Sequence, residues 1–347
     1  MAYPFRNLIF EGGGVKGIAY AGAMEVLEGK GILQEIKRAG GTSAGAINAV
    51  LFGLNYTNSE TKDILGALNF KNFLDDSWGV FRDTKRLINE FGVYKGDFFR
   101  SWIADKIKQK TGNSESTFKE IFDQKDEKGF RDIYMVGTNL STRFSEIFSF
   151  EHTPRMPLAD AIRISMSIPL FFTAKRNTRD DVYVDGGVLD NYPIKLFDRD
   201  KYIEDQNIGV TSRPTDYYTK YNEELNKAGK KISSYTYNKE TLGFRLDSAE
   251  EIALFRDQAE PQTHKIDGFF SYAWGLIETI MENQSSQHLH NDDWHRTIYI
   301  DTLGVKTTDF DLADATKERL LDSGRRHTSE YFDKWYDNPL EKPANRV

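Results

Sequence analysis

Short apolar runs alternate with stretches of small and polar residues over the first fifty positions of the chain. Residues 8–10 are typical of a buried strand, and residues 17–29 of a helix whose alanines and glycine allow close packing. A weaker strand begins near Ile36, and residues 46–52 continue as a second, apolar helix. Because strand and helix alternate twice, the pattern predicts a three-layer α/β/α fold with a mostly parallel central sheet and helices on both faces.

The rest of the chain continues this mixture with more polar and irregular stretches. Further strands are predicted at 132–138, 146–150, 182–184 and 297–302, and helices at 84–90, 97–111, 158–167 and 312–335. Residues 213–240, rich in tyrosine and lysine, are predicted to form a long mobile insertion. No repeat or linker interrupts the chain, so we expect one domain over 1–347. Its main motifs lie in 6–200, with residues 241–347 packed on the same core.

Composition narrows the classes of function. The 347 residues include no cysteine, which excludes disulfides, thiolate metal sites and a cysteine nucleophile. The formal net charge is −7 and no run of lysine or arginine occurs, so nucleic acid is not an expected partner. The acidity also argues against strong attraction to anionic membranes.

The sequence shows no cationic leader and no run of about 18 apolar residues. We therefore expect a protein that is cytoplasmic as synthesised, with no signal peptide and no transmembrane segment. Export without a leader stays open, and contact with a membrane would be peripheral. The sequence also leaves the oligomeric state open, a homo-oligomer included.

Three glycine-containing turns carry the candidate chemistry, and each is associated with a predicted strand. They are the Gly-rich loop with Gly12, Gly13, Gly14 and Gly17, the serine turn Gly41-Thr42-Ser43-Ala44-Gly45, and the aspartate turn Asp185-Gly186-Gly187. Together they provide backbone N–H donors, a serine nucleophile and a carboxylate base. In doubly wound sheets, sites assemble at the carboxyl edge of the strands, where we expect the serine and aspartate turns to emerge.

Ser43 lies in a G-x-S-x-G pentapeptide directly before an apolar helix, which is the context of a nucleophile elbow. In such a turn the helix N-terminus stabilises a developing alkoxide. Gly41 and Gly45 would avoid clashes with the flanking strand and helix. Taken alone, the pentapeptide fits an ordinary glycine turn, with Ser43 capping the helix, about equally well.

The loop from Gly12 to Gly17 fits two uses. A hydrolase would point the N–H groups of Gly13 and Gly14, with Val15 as a third candidate, at a carbonyl oxygen that becomes anionic. The loop also matches G-x-G-x-x-G, the dinucleotide fingerprint, for which Glu35 is the nearby acidic residue. Because Glu35 does not end a clean apolar strand, nucleotide binding is kept only as the alternative from another class.

A Ser-His-Asp triad would need a histidine to carry the proton. The histidines are His152, His264, His288, His290, His295 and His327. His288, His290 and His295 form a polar cluster, but i, i+2 spacing does not place two ligands on one helical face. We therefore expect no metal site.

Two apolar stretches, 164–173 and 269–277, would form interfacial patches if they were exposed. The second reads as an amphipathic helix. We expect both to pack into the core.

The three turns, in this order, resemble those of the patatin-like phospholipases. Similarity to bacterial members is also present at 137–140, at 165–171 with Pro169, and at 297–311, so the resemblance spans at least 6–200 and extends to about 335. It implies that Ser43 is the nucleophile, Asp185 the base, and Gly12, Gly13 and Gly14 part of the oxyanion turn, with no metal or cofactor. The family often has arginine where this chain has Lys16, which keeps the cation but loses the bidentate fork.

The expected function is therefore a lipid acyl hydrolase of phospholipase A type, with glycerophospholipids at a membrane surface as substrates. Ser43 would attack the ester carbonyl while Asp185 accepts its proton, in a desolvated site that raises the basicity of the carboxylate. A carboxylesterase or thioesterase that uses the same two residues on dispersed substrates is the enzyme alternative. The sequence does not distinguish acyl position, headgroup or activator.

Overall fold

The computed structural model describes residues 3–74, 86–87, 89–205, 216–227, 233–249, 263, 265–286 and 292–338. The strands are β1 Asn7–Phe10, β2 Arg38–Thr42, β3 Gly92–Tyr94, β4 Asp132–Asn139, β5 Phe144–Phe148, β6 Leu170–Phe172, β7 Lys175–Arg176, β8 Val182–Asp185, β9 Thr241–Asp247 and β10 Thr297–Asp301. The helices are α1 Ala19–Gly29, α2 Ala44–Gly53, α3 Asn58–Gly66, α4 Asp97–Thr111, α5 Phe118–Asp123, α6 Lys125–Lys128, α7 Leu158–Ser165, α8 Gly187–Asp190, α9 Asp216–Lys227, α10 Phe269–Ser286 and α11 Asp314–Tyr331.

The central sheet has eight strands in the part of the chain that the structure describes. Their order is β10-β9-β1-β2-β4-β8-β7, and β5 pairs with β4. From β10 to β4 the strands run parallel, whereas β5, β8 and β7 pair antiparallel. A separate small sheet joins β3 to β6. The predicted α/β fold with a mostly parallel sheet is confirmed.

Side chains that alternate along a strand enter two different cores, because successive residues point to opposite faces of a sheet. Phe10 of β1 joins the larger core, which is covered by α1, α2, α7 and α11. Ile9 joins a smaller core with apolar side chains of residues 192–202. The helix α9 is tied to this second layer by Tyr218, whose hydroxyl donates to Asp198. Helices therefore flank the sheet on both faces.

Strand β4 determines where two of the candidate turns meet. β5 pairs with Met135–Asn139, so it occupies one edge of β4 along this stretch. The other edge is shared: β2 pairs with β4 up to Thr42 opposite Val136, and β8 pairs with β4 from Asp185 opposite Gly137. The two strands therefore meet end to end along one edge of β4.

The C-terminal helix α11 packs closely on the N-terminal helix α1, because glycines lie at their contact. α1 and α11 lie side by side. A Cβ atom added at Gly22 would lie 2.0 Å from the Leu321 carbonyl oxygen, and one added at Gly324 would lie 2.0 Å from the Ala19 carbonyl oxygen. β9 and β10 also extend the sheet that contains β1, so both parts of the chain contribute strands to one sheet, and the single domain over 1–347 stays a prediction.

Most predicted elements are confirmed, with shifted ends. The helix expected from residue 17 begins at Ala19, after a 3-10 turn at Gly14–Ile18, and the C-terminal helix ends at Tyr331 and continues as a π-helical turn at Phe332–Tyr336. Of the predicted helix 84–90, the structure describes 86–87 and 89–90, and these residues are helical. Within 213–240 the structure describes 216–227 and 233–240, and the predicted mobility of this insertion stays a prediction.

The two apolar stretches differ in their surroundings. Ile164, Ile168 and Phe172 are buried, as predicted for the first stretch. The second stretch is helical, but the prediction that it packs into the core is wrong for Tyr272 and Leu276, which are exposed. The reason is that α10 packs on the short helix α8, which covers only part of its surface. No helix within the described residues combines the length and the apolar character needed to cross a bilayer.

We expect Gly324→Ala to destabilise the protein, because the new methyl group would clash with the Ala19 carbonyl on the neighbouring helix. Overpacking of this kind typically lowers the free energy of unfolding by about 1–3 kcal/mol. The matched control is Gly29→Ala, since no atom lies within 4 Å of the new Cβ position at the end of α1. Thermal unfolding of both variants tests the packing of α1 on α11; equal melting temperatures would contradict it.

Candidate active site

Ser43 occupies a strained turn between β2 and α2. Its backbone has φ 53° and ψ −123°, a conformation that residues with a side chain rarely adopt. The turn is tight enough to require glycine on both sides. A Cβ atom at Gly41 would lie 2.4 Å from the Gly45 carbonyl carbon, and one at Gly45 would lie 2.2 Å from the Phe10 carbonyl oxygen. This is the local geometry of a nucleophile elbow.

The hydroxyl and the backbone of Ser43 contact the C-terminal end of α7 and the residue that follows it. The Ser43 N–H donates to Ser165 Oγ at 3.0 Å, and Ser165 Oγ donates to the Val136 carbonyl at 2.6 Å. Ser43 Oγ points to Met166 Sδ at 3.5 Å. Ser43 is only 2% exposed, so the hydroxyl lies in an almost closed site.

Asp185 is fully buried at the end of β8. Its Oδ1 accepts the Gly187 N–H at 2.7 Å, and its own N–H donates to the Ser167 carbonyl at 2.8 Å. Burial raises the pKa of Asp185 from its usual 3.8 to about 7; the Gly187 N–H and the proximity of the Ser43 hydroxyl oppose this rise. In the conformer described, Ser43 Oγ points to Met166 and no described group hydrogen-bonds Asp185 Oδ2 by distance and angle. A rotation of the Ser43 side chain is therefore needed to direct its proton to Oδ2.

The C-terminal end of α7 and the residues directly after it connect the two turns. Ser165 bonds to the backbone of Ser43, and Ser167 bonds to the backbone of Asp185. Ser167 is fixed in turn by the buried Arg163, whose Nη1 donates to its Oγ at 2.5 Å. Motif reasoning did not assign a role to these serines. The signal that could have pointed to them was the family similarity at 165–171.

The Gly-rich loop follows β1 and lies beside the serine turn. The Gly12 N–H donates to the Asn191 carbonyl at 3.0 Å, and Asn191 Nδ2 donates back to the Gly12 carbonyl at 3.2 Å. The Val15 N–H donates to the Thr307 carbonyl at 3.3 Å. The expectation that Val15 is a third oxyanion donor is therefore not met, because its N–H already donates to a backbone carbonyl.

Gly13 and Gly14 differ from their neighbours in the loop. Their N–H groups donate no hydrogen bond within the described part of the chain. Gly14 has φ +56°, and a Cβ atom there would lie 2.1 Å from the Thr307 carbonyl oxygen, so only glycine fits. At Gly13 the Leu246 side chain takes the space that a Cβ would need, at 2.5 Å. The loop thus presents two backbone donors from a conformation that side chains would prevent.

A buried charge cluster supports this loop from behind. Glu11, directly before Gly12, accepts the Leu246 N–H at 2.7 Å through Oε2. Its Oε1 lies 3.8 Å from Arg245 Nε, and Arg245 Nη2 lies 2.5 Å from Asp247 Oδ1. All three charged side chains are almost inaccessible to solvent. Sequence patterns did not identify this cluster, because Glu11 and Arg245 are far apart along the chain.

The remaining glycines of the three turns also mark close approaches. A Cβ atom at Gly186 would lie 2.3 Å from the Val136 carbonyl oxygen, and one at Gly17 would lie 3.1 Å from the Ala44 Cβ. At Gly187 it would lie 2.7 Å from Met281 Cε, so α10 reaches the aspartate turn. The structure therefore brings together the sequence-predicted residues of all three turns.

Among the described residues, no hydrogen bond joins a histidine to Ser43 or Asp185. Nδ1 of His152 is hydrogen-bonded to Ser149, and Nδ1 of His327 to Ser323. The carbonyl of His295 accepts the Tyr331 hydroxyl. His264, His288 and His290 lie outside the described residues. Within the described ranges, no group of three or more histidine, aspartate or glutamate side chains is arranged to hold a metal ion.

Comparison with known proteins decides the family. A model of the patatin-like phospholipase family matches residues 8–198. The chain belongs to the patatin-like phospholipase family. YqhO of Bacillus subtilis is 30% identical to it over 338 residues, 94% of this chain and 98% of that protein. The family places this patatin-like protein among lipid hydrolases.

Two further similarities agree with this assignment. The probable lipid hydrolase 463L of invertebrate iridescent virus 6 is 27% identical over 194 residues, 55% of this chain and 63% of that protein. The crystal structure of VipD from Legionella pneumophila superimposes with a TM-score of 0.57 at 17% identity, over 96% of this chain and 67% of that chain. At this identity the second similarity confirms the patatin-like fold alone.

We expect Asp185→Asn to stabilise the protein at neutral and alkaline pH. The pKa of Asp185 is raised to about 7 in the folded chain, so the folded chain keeps a proton that the unfolded chain releases near pH 4. Stability is therefore lost as pH rises from about 4 to about 7. The variant removes this loss, worth up to about 4 kcal/mol, while asparagine Oδ1 still accepts the Gly187 N–H.

Thermal unfolding of wild type and Asp185→Asn between pH 4 and 8 tests this expectation. The difference in melting temperature should grow with pH and level off above about 7. A variant that is no more stable than wild type at pH 8 would show that the Asp185 carboxylate is not destabilised by burial.

Proposed function

We propose that this protein is a lipid acyl hydrolase of phospholipase A type, in which Ser43 is the nucleophile and Asp185 the general base. One observation carries the proposal: β2 and β8 meet end to end along β4. The serine turn and the aspartate turn therefore lie together, with Ser43 in a strained elbow and Asp185 as a buried carboxylate of raised pKa. Family membership supports a lipid ester as the substrate.

The environment of Asp185 supports its role as the base. An aspartate with its usual pKa of about 3.9 is a weak base for a serine hydroxyl. Burial without a countercharge destabilises the ionised form, and the pKa of about 7 is close to the pH at which a base is most effective. Oδ1 is held by the Gly187 N–H, which leaves Oδ2 for the Ser43 proton.

The N–H groups of Gly13 and Gly14 are the proposed oxyanion donors. Gly12 and Val15 have their N–H groups bonded to backbone carbonyls, which leaves the pair between them to receive a developing charge. Donors fixed in place before the reaction need no reorganisation when the charge forms. The N-terminus of α2, directly after Ser43, adds a favourable dipole.

The reaction would proceed in two halves. Ser43 Oγ bonds to the ester carbonyl carbon as its proton moves to Asp185 Oδ2, and the carbonyl oxygen becomes an oxyanion at Gly13 and Gly14. Collapse breaks the ester C–O bond, and the leaving alcohol takes the proton from Asp185. Water then gives a proton to Asp185 and attacks the acyl-enzyme, and the proton returns to Ser43 as the fatty acid leaves.

The nucleotide alternative finds little support in the geometry. Glu35 lies in a 3-10 turn before β2, whereas the Gly-rich loop follows the carboxyl end of the parallel strand β1. The Glu35 side chain is 59% exposed, and its Oε2 lies 3.6 Å from Arg6 Nη2. A carboxylate at the opposite end of the sheet cannot hold a ribose whose phosphates lie on Gly12–Gly17.

We expect Ser43→Ala to abolish both labelling by a fluorophosphonate probe and release of fatty acid from phosphatidylcholine. Asp185→Asn should reduce turnover by a factor of about 10⁴ or more, as with loss of other catalytic base functions. Wild type labelled on a residue other than Ser43 would contradict the proposal. Labelling of Ser43 with turnover only of dispersed esters would select the carboxylesterase or thioesterase alternative.

We expect Glu11→Gln to lower kcat about 10- to 100-fold with little change in KM, because small displacements of catalytic groups have effects of this size. The change removes the charge that pairs with Arg245 behind the oxyanion loop. The matched control is Glu240→Gln. Glu240 is equally buried but binds the N–H groups of Glu204 and Asp205, at the far end of β1. Steady-state kinetics on a soluble acyl ester measure both variants; equal losses of kcat would contradict a specific role of Glu11.

A further inference from the structure

Large apolar side chains are exposed around the edge of the sheet where the candidate site lies. We call the following six residues the apolar rim: Leu140, Phe144, Leu189, Tyr272, Leu276 and Ile280. Phe144 is 71% exposed and Tyr272 53%, and the others are between 36% and 47% exposed. Exposed apolar side chains are ordinary when scattered singly, but a group around a site marks an interaction surface.

Connected elements place these residues around the site. Leu140 follows β4 directly, and its N–H donates to the Val182 carbonyl of β8 at 2.8 Å, three residues before Asp185. Leu189 lies on α8, which begins two residues after Asp185 and contacts β4 and β5. α10 contacts α8, and Met281 Cε reaches Gly187. The rim thus runs from the β4–β5 turn across α8 to α10, over the aspartate turn.

The helix α10 contributes two neighbouring apolar stripes. Ala273, Ile277 and Met281 are partly buried, and Met281 faces the aspartate turn. Tyr272, Leu276 and Ile280, each one position earlier, are exposed at spacing i, i+4, i+8. A helix that covers a core normally presents polar residues on its outer face. The outer stripe of α10 therefore resembles the face of an interfacial helix.

Charge limits what this surface can bind. The sequence of α10 includes Glu278 and Glu282 but no lysine, arginine or histidine. The whole chain has a net charge of −7. An anionic lipid surface attracts basic segments and would repel this helix. In the β4–β5 turn, the exposed Arg143 lies between Leu140 and Phe144. One arginine beside two glutamates does not make a basic cluster, so a surface of zwitterionic or uncharged lipid fits both the apolar stripe and this charge.

We propose that the apolar rim docks on a zwitterionic or uncharged lipid layer, so that a lipid ester passes from the layer to Ser43. This inference rests on the proposed function, because a lipid substrate must leave a layer to reach a buried site. Ser43 is 2% exposed and Asp185 is fully buried, and α8 and α10 of the rim lie beside the aspartate turn. A protein partner seated on the same residues would cover the approach to the site, whereas a lipid layer supplies the substrate.

Vesicle binding tests the proposal. Sedimentation with phosphatidylcholine vesicles would use Ser43→Ala protein, so that the vesicles stay intact. Leu276→Asp/Ile280→Asp and, on a separate element, Phe144→Asp should each reduce the partition coefficient about tenfold or more. The matched control is Tyr221→Asp: Tyr221 lies on α9 with 44% exposure, similar to Leu276, and its change should leave binding as in the parent protein.

The same rim substitutions in protein that keeps Ser43 distinguish a loss of vesicle docking from a loss of catalytic activity. In the rim variants, the ratio of vesicle turnover to soluble-ester turnover should fall about tenfold or more, and it should be unchanged in Tyr221→Asp. Wild type without turnover of any ester would contradict the proposed function, while vesicle binding would still test the rim. Unchanged vesicle binding in both rim variants would overturn the docking inference. So would tighter binding to phosphatidylglycerol than to phosphatidylcholine, or a dimer that dissociates only in the rim variants.

Discussion

One edge of β4 is the constraint on which the candidate site depends. A strand has two edges, and β5 occupies one of them beside Met135–Asn139, so β2 and β8 must share the other. They do so from opposite directions, and Thr42 and Asp185 lie opposite neighbouring residues of β4. The strand pairing alone therefore brings together the serine turn and the aspartate turn, which are far apart in sequence. Ser165 and Ser167 then fix the backbone of each turn.

Burial raises the basicity of the Asp185 carboxylate. Residues from the C-terminal part of the chain pack against the Gly-rich loop. The pKa of Asp185 rises because its carboxylate has lost water without gaining a cation. The Gly-rich loop is packed against Leu246 and the Thr307 carbonyl, and Glu11 directly before it pairs with Arg245 of β9. The three C-terminal residues among these lie outside the 8–198 stretch that matches the family model. The described C-terminal part of the chain therefore contributes residues to the candidate site as well as strands to the sheet.

Local patterns predicted the features that depend on local sequence. The alternation of strand and helix predicted the parallel sheet, and glycine spacing predicted the turns at Ser43 and Asp185. Partners distant in sequence were not predictable, because no local pattern records them. For this reason the Glu11–Arg245 pair was missed and Val15 was wrongly included as a donor, although its N–H is bonded to Thr307. The outer stripe of α10 was wrongly placed in the core, because an apolar helix face looks the same in sequence whether it is covered or exposed.

The proposed chemistry depends on Ser43 attacking a carbonyl carbon while the N–H groups of Gly13 and Gly14 receive the carbonyl oxygen. A crystal structure of the protein after reaction with an alkyl fluorophosphonate tests this most directly, because the adduct mimics the tetrahedral intermediate. We expect phosphorus bonded to Ser43 Oγ and a phosphoryl oxygen about 2.7–3.1 Å from the nitrogen atoms of Gly13 and Gly14. A phosphoryl oxygen turned away from both nitrogen atoms, or an adduct on another residue, would contradict it.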